Sequence, residues 1–195
     1  MLSTVTSLAL EEGLVLELKG NEIPERSFAL PITSPENQRI GTLRLIDISR
    51  AQSPELVSAL TRWRNASMRF FLSQFTATEE RTRQWLSHVV LPSDNRLLFE
   101  LLDENGRPIG HAGVCNLTER EAELDNFIRG EPGGDAGLFV AAEVAMLKWL
   151  FGELKLEAVG LHVFSNNWIP INNHLDLGFV ISGKQALSKV ALCGS

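Results

Sequence analysis

The sequence contains no tyrosine and only two cysteines among its 195 residues. The absence of tyrosine removes the phenol from the side chains that could donate a proton in an active site. Cys115 and Cys193 lie far apart, and neither belongs to a motif with metal-binding or redox spacing. The sequence therefore predicts a protein that holds no metal ion.

Long hydrophobic runs and an excess of basic residues are missing as well. No apolar stretch approaches the about 18 residues of a membrane-spanning helix. The first residues also lack the basic, apolar and small-residue segments of an export signal. The formal net charge is −6, whereas nucleic-acid-binding proteins carry a basic surface. These absences predict a cytoplasmic protein that binds neither membranes nor nucleic acids.

The first part of the chain has a different pattern from the rest. Two apolar runs, residues 14–18 and 27–30, flank a polar stretch, which favours a hairpin or a docked arm. Two prolines in residues 31–38 favour a linker. We therefore expect an N-terminal arm or hairpin over residues 1–38 and one domain over residues 39–195.

After residue 40 the pattern predicts a mixed α/β sheet. Helices are expected to begin after Ser53 and Thr78, because both residue types are favoured N-caps. Asn105-Gly106 predicts a tight hairpin turn. Strand patterns cover residues 43–48, 96–103, 107–115, 121–128 and 159–163. The expected order is strand, two helices, antiparallel meander, helix, strand, short helix and final strands, which is not a doubly wound parallel sheet.

A glycine-rich turn leads from the strand at residues 121–128 into a long helix. Glycines surround Asp135 in this turn, at positions 130, 133, 134 and 137. Glycines let a backbone approach an anion closely, and free amides at a helix start point at it. The turn indicates a phosphate site, although such turns also serve simply to reverse a chain. The helix after it carries an apolar stripe of Val140, Val144, Leu147, Phe151 and Leu154.

Residues 42–185 resemble the GNAT superfamily of general-control-related N-acetyltransferases, most clearly over residues 121–179. The segments that carry the likeness are Ala122-Glu123-Leu124-Asp125-Asn126, residues 129–137, residues 147–151, residues 161–167 and Leu177-Gly178-Phe179. Trp63-Arg64-Asn65 and Trp85 resemble the first two helices of that family. The resemblance implies a GNAT fold and an enzyme that moves an acetyl group from acetyl-CoA directly to a primary amine.

The resemblance also implies which residues bind acetyl-CoA. Pantetheine would lie in a gap between the family's fourth and fifth strands, and the diphosphate would lie on the amides of the glycine-rich turn. The implied contacts are Phe127, Ile128 and Arg129 for pantetheine, Gly133, Gly134, Asp135, Ala136 and Gly137 for the diphosphate, and Asn167 for the cofactor arm. Glu131 departs from the family pattern, which opens this turn with glutamine or arginine.

Two candidate catalytic residues follow from the resemblance. His174 stands four residues before Gly178, where the family commonly has a tyrosine that protonates the leaving thiolate. Histidine can donate a proton near neutral pH, or it only hydrogen-bonds a strand end. Glu123 is the candidate general base, and Asp125 lies on the same face of its strand; the alternative is a pair of surface acids. His111 is a rival base, or a buried histidine.

The acceptor amine is predicted from Trp63, Arg64 and Asn65. These residues resemble the GNAT branch that acetylates amino sugars, as in pseudaminic-acid-type pathways. Arg64 would hold a nucleotide diphosphate and Trp63 would stack on a base or sugar; the alternative is a surface arginine and a core tryptophan. A peptide N-terminus is the rival acceptor, and a CoA-binding module without catalysis is the rival class. A homodimer is left open.

Overall fold

The computed structural model describes residues 13–23 and 26–188, and the chain divides into a compact unit up to His162 and a second unit from Val163. The helices are α1 (Leu14–Lys19), α2 (Ile48–Ala51), α3 (Pro54–Ala66), α4 (Glu79–Trp85), α5 (Leu138–Gly152) and α6 (Trp168–Asp176). A 3₁₀ turn covers Met68–Phe70, and a π-helical turn, Leu86–Val90, continues α4. The strands are β1 (Ala29–Thr33), β2 (Arg39–Leu45), β3 (Leu97–Asp103), β4 (Pro108–Cys115), β5 (Glu121–Arg129) and β6 (Ala158–Leu161).

The six strands form one sheet in sequence order, β1-β2-β3-β4-β5-β6. Neighbouring strands are antiparallel from β1 to β5, and β5 pairs with β6 in parallel. An α-helix, α5, makes the crossover that a parallel pair requires. The mixed α/β fold class predicted from the sequence is confirmed.

Local signals placed several elements correctly. The Ser53 side chain accepts a hydrogen bond from the Leu56 amide at the start of α3. Thr78 does the same for the Arg81 amide at the start of α4. The hairpin between β3 and β4 turns at Gly106, whose φ of 77° favours glycine. Of the predicted Asn105-Gly106 pair, only the glycine adopts a positive φ.

Helices cover both faces of the sheet. On one face, α3, α4 and the π-helical turn build a core with Ile46, Leu56, Val57, Ala59, Leu60, Trp63, Leu86, Val90, Leu98 and Ile128. On the other face, Trp149 of α5 packs against the rings of Phe28 and Phe99. The predicted apolar stripe is only partly buried, since Val140 is 37% and Phe151 44% exposed, whereas Leu154 is buried and lies beyond the end of α5. Almost every side of α5 is apolar, so spacing alone does not single out the buried face.

A hairpin or a docked arm was expected for residues 14–18 and 27–30, and the first of these segments lies in a helix, Leu14–Lys19, and not in a hairpin strand. The Lys19 ammonium is buried and donates to the carbonyls of Val90, Ser93 and Arg96. The linker prediction fails for residues 31–33, which belong to β1. A boundary between residues 38 and 39 stays a prediction.

Two further differences concern single elements. Ile48, predicted in the first strand, starts α2, because Asp47 accepts a hydrogen bond from the Arg50 amide and caps the helix. The final strands predicted after the short helix are not found in residues 179–188, the described part of that segment.

Candidate active site

A β-bulge interrupts the pairing of β5 with β4. His111 lies opposite Ile128 and Gly113 opposite Asp125, so two residues of β5 face one residue of β4. One of the two is Asn126, which adopts a φ of 54°. A bulge bends its strand and increases its twist. The bulge therefore turns β5 within the segment predicted to face pantetheine.

Two glycines of β4 make room for this bulge. A Cβ atom at Gly110 would lie 2.1 Å from the Ile128 carbonyl oxygen, and one at Gly113 would lie 3.1 Å from the backbone carbonyl oxygen of Asp125. Between them, His111 forms a hydrogen bond from its ring to the Asn126 backbone. The sequence Gly110-His111-Ala112-Gly113, opposite an asparagine suited to positive φ, was the available signal for the bulge.

Beyond the bulge, β5 loses its neighbour on the β6 side. The parallel pairing runs from Glu121 opposite Ala158 to Leu124 opposite Leu161, where β6 ends. β5 continues to Arg129, and in the described part of the chain no strand pairs with that side of residues 125–129. Phe127, Ile128 and Arg129 thus lie along a strand edge that an extended ligand could pair with.

The two carboxylates of β5 differ in their contacts. Asp125 forms a 2.7 Å ion pair with Arg96 and accepts hydrogen bonds from the backbone and side-chain nitrogens of Asn126. Glu123 instead lies beside His162, with 3.7 Å between Oε2 and Nε2. Asp125 is therefore held in place by short contacts, whereas the contact of Glu123 with His162 is longer.

Cys115 lies directly opposite Glu123 in the sheet. Burial, and then the negative charge of Asp125, raise the pKa of the Cys115 thiol to about 11. A thiol with that pKa is protonated at neutral pH, whereas acyl transfer to cysteine needs the thiolate. This cysteine is thus a poor carrier for an acyl group.

His111 is buried beneath Trp63, with 6.0 Å between the ring centroids. Burial lowers the pKa of His111 to about 4, so the ring is neutral at physiological pH. Its Nδ1 has no hydrogen-bond partner among the described residues. A buried base with so low a pKa is a weak proton acceptor, and the contact to Asn126 gives His111 a role in holding the bulge.

The glycine-rich turn is fixed by two arginines. Gly133 and Gly134 adopt φ angles of 107° and 71°. Arg107 donates to the carbonyl of Pro132 and Arg129 to that of Gly133. The two guanidinium groups thus fix the backbone of the turn and add positive charge near the predicted anion site.

The start of α5 follows this turn directly. Gly137 is the N-cap of the helix, with Ala136 exposed before it. The Gly137 amide donates a 2.7 Å hydrogen bond to the side chain of Asp135, and the Leu138 amide donates to the Asp135 carbonyl. The carboxylate thus occupies one of the amides that the resemblance gives to the diphosphate.

Glu131, the departure from the family pattern, points to α3. Its Oε1 accepts hydrogen bonds from the Trp63 indole at 2.9 Å and from Arg62 at 3.0 Å. These two bonds hold the pKa of Glu131 below its usual value. A Cβ atom on Gly130 would meet the Trp63 ring at 2.2 Å, so the turn packs closely on α3.

Trp63, Arg64 and Asn65, the predicted acceptor contacts, are engaged within the protein. Trp63 is only 2% exposed, which leaves no ring face for a base or sugar to stack on. Arg64 lies 3.8 Å over the Phe71 ring and donates to the Ser73 carbonyl. The Asn65 side chain donates to the Ala77 carbonyl and accepts from its amide. Arg64 and Asn65 hold the segment that joins α3 to α4.

Asn167 and His174 belong to the second unit. Asn167 is the N-cap position of α6, and its amide donates to the Phe164 carbonyl. The His174 ring meets the Phe179 ring edge to face at 5.5 Å between centroids. Gly178 ends the helix with a φ of 93°, which fits the predicted C-cap.

Two absences hold for the described ranges 13–23 and 26–188. No group of three or more histidine, cysteine, aspartate or glutamate side chains there could hold a metal ion. No helix there has the length and apolar character needed to cross a membrane.

Comparisons with known proteins point to one family. A family model described as "Acetyltransferase (GNAT) domain" matches residues 42–180. No individually curated protein matches the sequence significantly.

Several solved structures share the fold. The spermidine N-acetyltransferase of Vibrio cholerae, in complex with CoA and spermine, is 19% identical to this chain with a TM-score of 0.59. The match covers 73% of this chain and 82% of that protein's chain. FdhC, "a nucleotide-linked sugar GNAT", is 18% identical with a TM-score of 0.61, covering 75% and 82%. The N-acetyltransferase PseH of Campylobacter jejuni is 14% identical with a TM-score of 0.54, covering 69% and 86%.

Proposed function

This chain belongs to the GNAT acetyltransferase family and is an acyl-CoA-dependent N-acyltransferase, and we propose that it moves an acetyl group from acetyl-CoA directly to the primary amine of a small molecule. The observation that carries the proposal is the bulged, unpaired edge of β5, residues 125–129, which runs straight into the glycine-rich turn and α5. An extended amide-containing arm followed by a diphosphate fits that order of features.

The residues around this edge fit acetyl-CoA. The strand edge of Phe127, Ile128 and Arg129 supplies backbone groups for pantetheine. The turn from Gly133 to Gly137 supplies amides at a helix start, and Arg107 and Arg129 add positive charge beside it. Asn167 is proposed to contact the cofactor arm.

Glu123 is proposed as the carboxylate through which the acceptor ammonium loses its proton, since Asp125 is held by Arg96. Transfer is direct in this proposal, because the nearby Cys115 is a protonated thiol and not an acyl carrier. His174 is proposed to protonate the leaving sulfur, in the position where the family has tyrosine.

For the acceptor, we propose a nucleotide-linked amino sugar. The support is the Trp63-Arg64-Asn65 sequence together with the fold shared with FdhC and PseH. Arg64 and Asn65 would act by shaping the segment between α3 and α4, where their side chains are bound. Trp63 would act by holding the glycine-rich turn through Glu131. The shared fold with a spermidine N-acetyltransferase keeps a polyamine among the alternatives.

Acetyl-CoA binding is tested by thermal unfolding of ligand-free protein. Acetyl-CoA at a hundred times its Kd should add roughly 2.7 kcal/mol of apparent stability. Gly137→Val should abolish this gain, because the valine side chain would block the approach of the diphosphate. The φ of Gly137 is an ordinary −87°, so the substitution does not strain the backbone. Gly152→Val is the matched control, since that position opens into free space at the far end of α5. No stabilisation of the parent by millimolar acetyl-CoA would sink the proposal.

Turnover separates the remaining alternatives. Nucleotide-linked amino sugars should give higher kcat/KM values than polyamines, amino acids or peptides. A peptide with a higher kcat/KM than every amino sugar would move the protein to the peptide-acetylating branch. Stabilisation by acetyl-CoA without turnover of any amine would identify a binding module.

A further inference from the structure

We infer that His162 and Glu123 form one proton-accepting pair, in which His162 takes the proton of the acceptor ammonium and Glu123 orients and stabilises the ring. This inference rests on the proposed N-acetyl transfer. It gives the reaction a second catalytic residue that neither the glycine-rich turn nor the family pattern singles out.

The backbone brings the two side chains together. Glu123 lies opposite Gly160 in the parallel pairing of β5 with β6, and His162 follows Gly160 by two residues. Side chains two residues apart on an extended chain point to the same side. Gly160 carries no side chain and has free space around it, so nothing stands between His162 and Glu123. The resulting distance from Nε2 to Oε2 is 3.7 Å.

The pair stands at the point where the two strands separate. The pairing ends at Leu124 and Leu161, one residue beyond Glu123 and one before His162. The unpaired edge proposed for pantetheine begins at the next residue of β5. The His162 side chain is 83% exposed and that of Glu123 is 33% exposed, so an acceptor amine can reach the ring from solvent.

The other polar side chains near Glu123 are poorly suited to take this proton. Asp125 is paired with Arg96 and bound by Asn126. Cys115 is buried, and its thiol already carries a proton, so it cannot accept another. His162, the residue after β6, is thus the nitrogen base that faces Glu123.

The acceptor ammonium loses two protons when its nitrogen becomes an amide. The Nε2 of His162 faces the Glu123 carboxylate at 3.7 Å, and the lone pair on Nδ1 takes one N–H proton from the acceptor ammonium. The freed amine forms a bond to the carbonyl carbon, and the bond from that carbon to sulfur breaks. His174 gives the leaving sulfur its proton and regains one from solvent, while the second N–H proton and the proton on Nδ1 pass to solvent. A carboxylate beside a histidine orients the ring and stabilises its protonated form.

The test compares His162→Ala and Glu123→Gln with matched controls elsewhere. His88→Ala changes an exposed histidine of the π-helical turn, and Glu121→Gln changes an exposed acid of β5. A general base contributes roughly 10²–10⁴-fold, so His162→Ala should lower kcat by that order and leave the acetyl-CoA Kd unchanged. Both controls should behave like the parent.

Further measurements distinguish a base from a structural neighbour. Added imidazole should restore part of the turnover of His162→Ala and none of Glu123→Gln. The double variant should lose no more activity than His162→Ala alone, because the two residues act as a unit. His162→Ala within a few-fold of the parent, or without imidazole rescue, would overturn the inference and leave Glu123 as the base. Failure of the proposed function looks different, since the parent itself would then turn over no amine.

Discussion

The indole nitrogen of Trp63 donates a hydrogen bond to the Glu131 carboxylate at 2.9 Å, and this bond ties α3 to the glycine-rich turn. Arg62, one residue earlier in the chain, adds a 3.0 Å ion pair to the same oxygen. The acid at the opening of the turn is therefore bound by α3. Its negative charge nevertheless stays near the proposed diphosphate site.

Glu131→Gln should strengthen acetyl-CoA binding. The amide oxygen of glutamine can still accept from the Trp63 indole, whereas the charge that opposes a diphosphate is gone. A charge exposed to solvent acts only weakly on its neighbours, so the Kd should fall by a few-fold at most. Isothermal titration calorimetry measures this, with Glu153→Gln at the far end of α5 as the control. A weaker affinity would mean that Glu131 supports the bound state.

Asp135 makes a second prediction about the same site. Its carboxylate accepts from the Gly137 amide and competes with an incoming phosphate for that donor. Asp135→Ala should lower the Kd for acetyl-CoA, while the thermal stability of the ligand-free protein falls slightly because the hydrogen bond from the Gly137 amide is lost. An unchanged or higher Kd would show that Asp135 stays in place beside the bound cofactor.

The buried His111 predicts a loss of stability in acid. The pKa of His111 is lowered by burial from 6.5 to about 4, so between these values the unfolded chain binds more protons than the folded one. Stability is then fully present above pH 6.5 and is lost as the pH falls towards 4, by about 3 kcal/mol for this group. Urea unfolding from pH 4 to 7.5 should show a shallower pH dependence in His111→Gln. The exposed His88→Gln should keep the parent's dependence.

Lys19 predicts a specific stabilising role for α1. Its ammonium donates to three carbonyls beyond α4. Lys19→Met leaves those acceptors without their donor and should lower the free energy of unfolding by about 1–3 kcal/mol. Lys148→Met, on the exposed side of α5, is the control and should change stability little. Equal effects of both substitutions on the urea midpoint would refute this role.

The sequence predicted elements whose signals are local. Ser53 and Thr78 cap helices through bonds to residues three positions away, and Gly106 turns a hairpin within five residues. Spacing of this kind is visible in the sequence itself. The family resemblance added the order of strands and the position of the glycine-rich turn.

The contacts that define the candidate site join distant parts of the chain, so spacing could not reveal them. Trp63 meets Glu131 across 68 residues, and Arg96 meets Asp125 across 29. The α1 helix was missed because Leu14-Val15-Leu16-Glu17-Leu18 has the apolar density of a strand, whereas its burial and the Lys19 contacts come from the folded chain.

His174 carries the last prediction, that it protonates the sulfur as coenzyme A leaves. It lies in α6, four residues before the Gly178 C-cap, at the position of the family's tyrosine. His174→Phe should lower kcat by roughly 10²–10⁴-fold, the usual contribution of a general acid. The Kd for acetyl-CoA should stay the same, because the histidine acts on charge that develops during transfer. Phenylalanine can keep the edge-to-face contact with Phe179, so thermal stability should change little.

His174→Tyr should retain activity, because tyrosine restores a proton donor at this position. A purely structural histidine would give a different result, with both variants losing stability or neither losing rate. If His174→Phe turns over within a few-fold of the parent, the sulfur leaves as the anion or takes its proton from water.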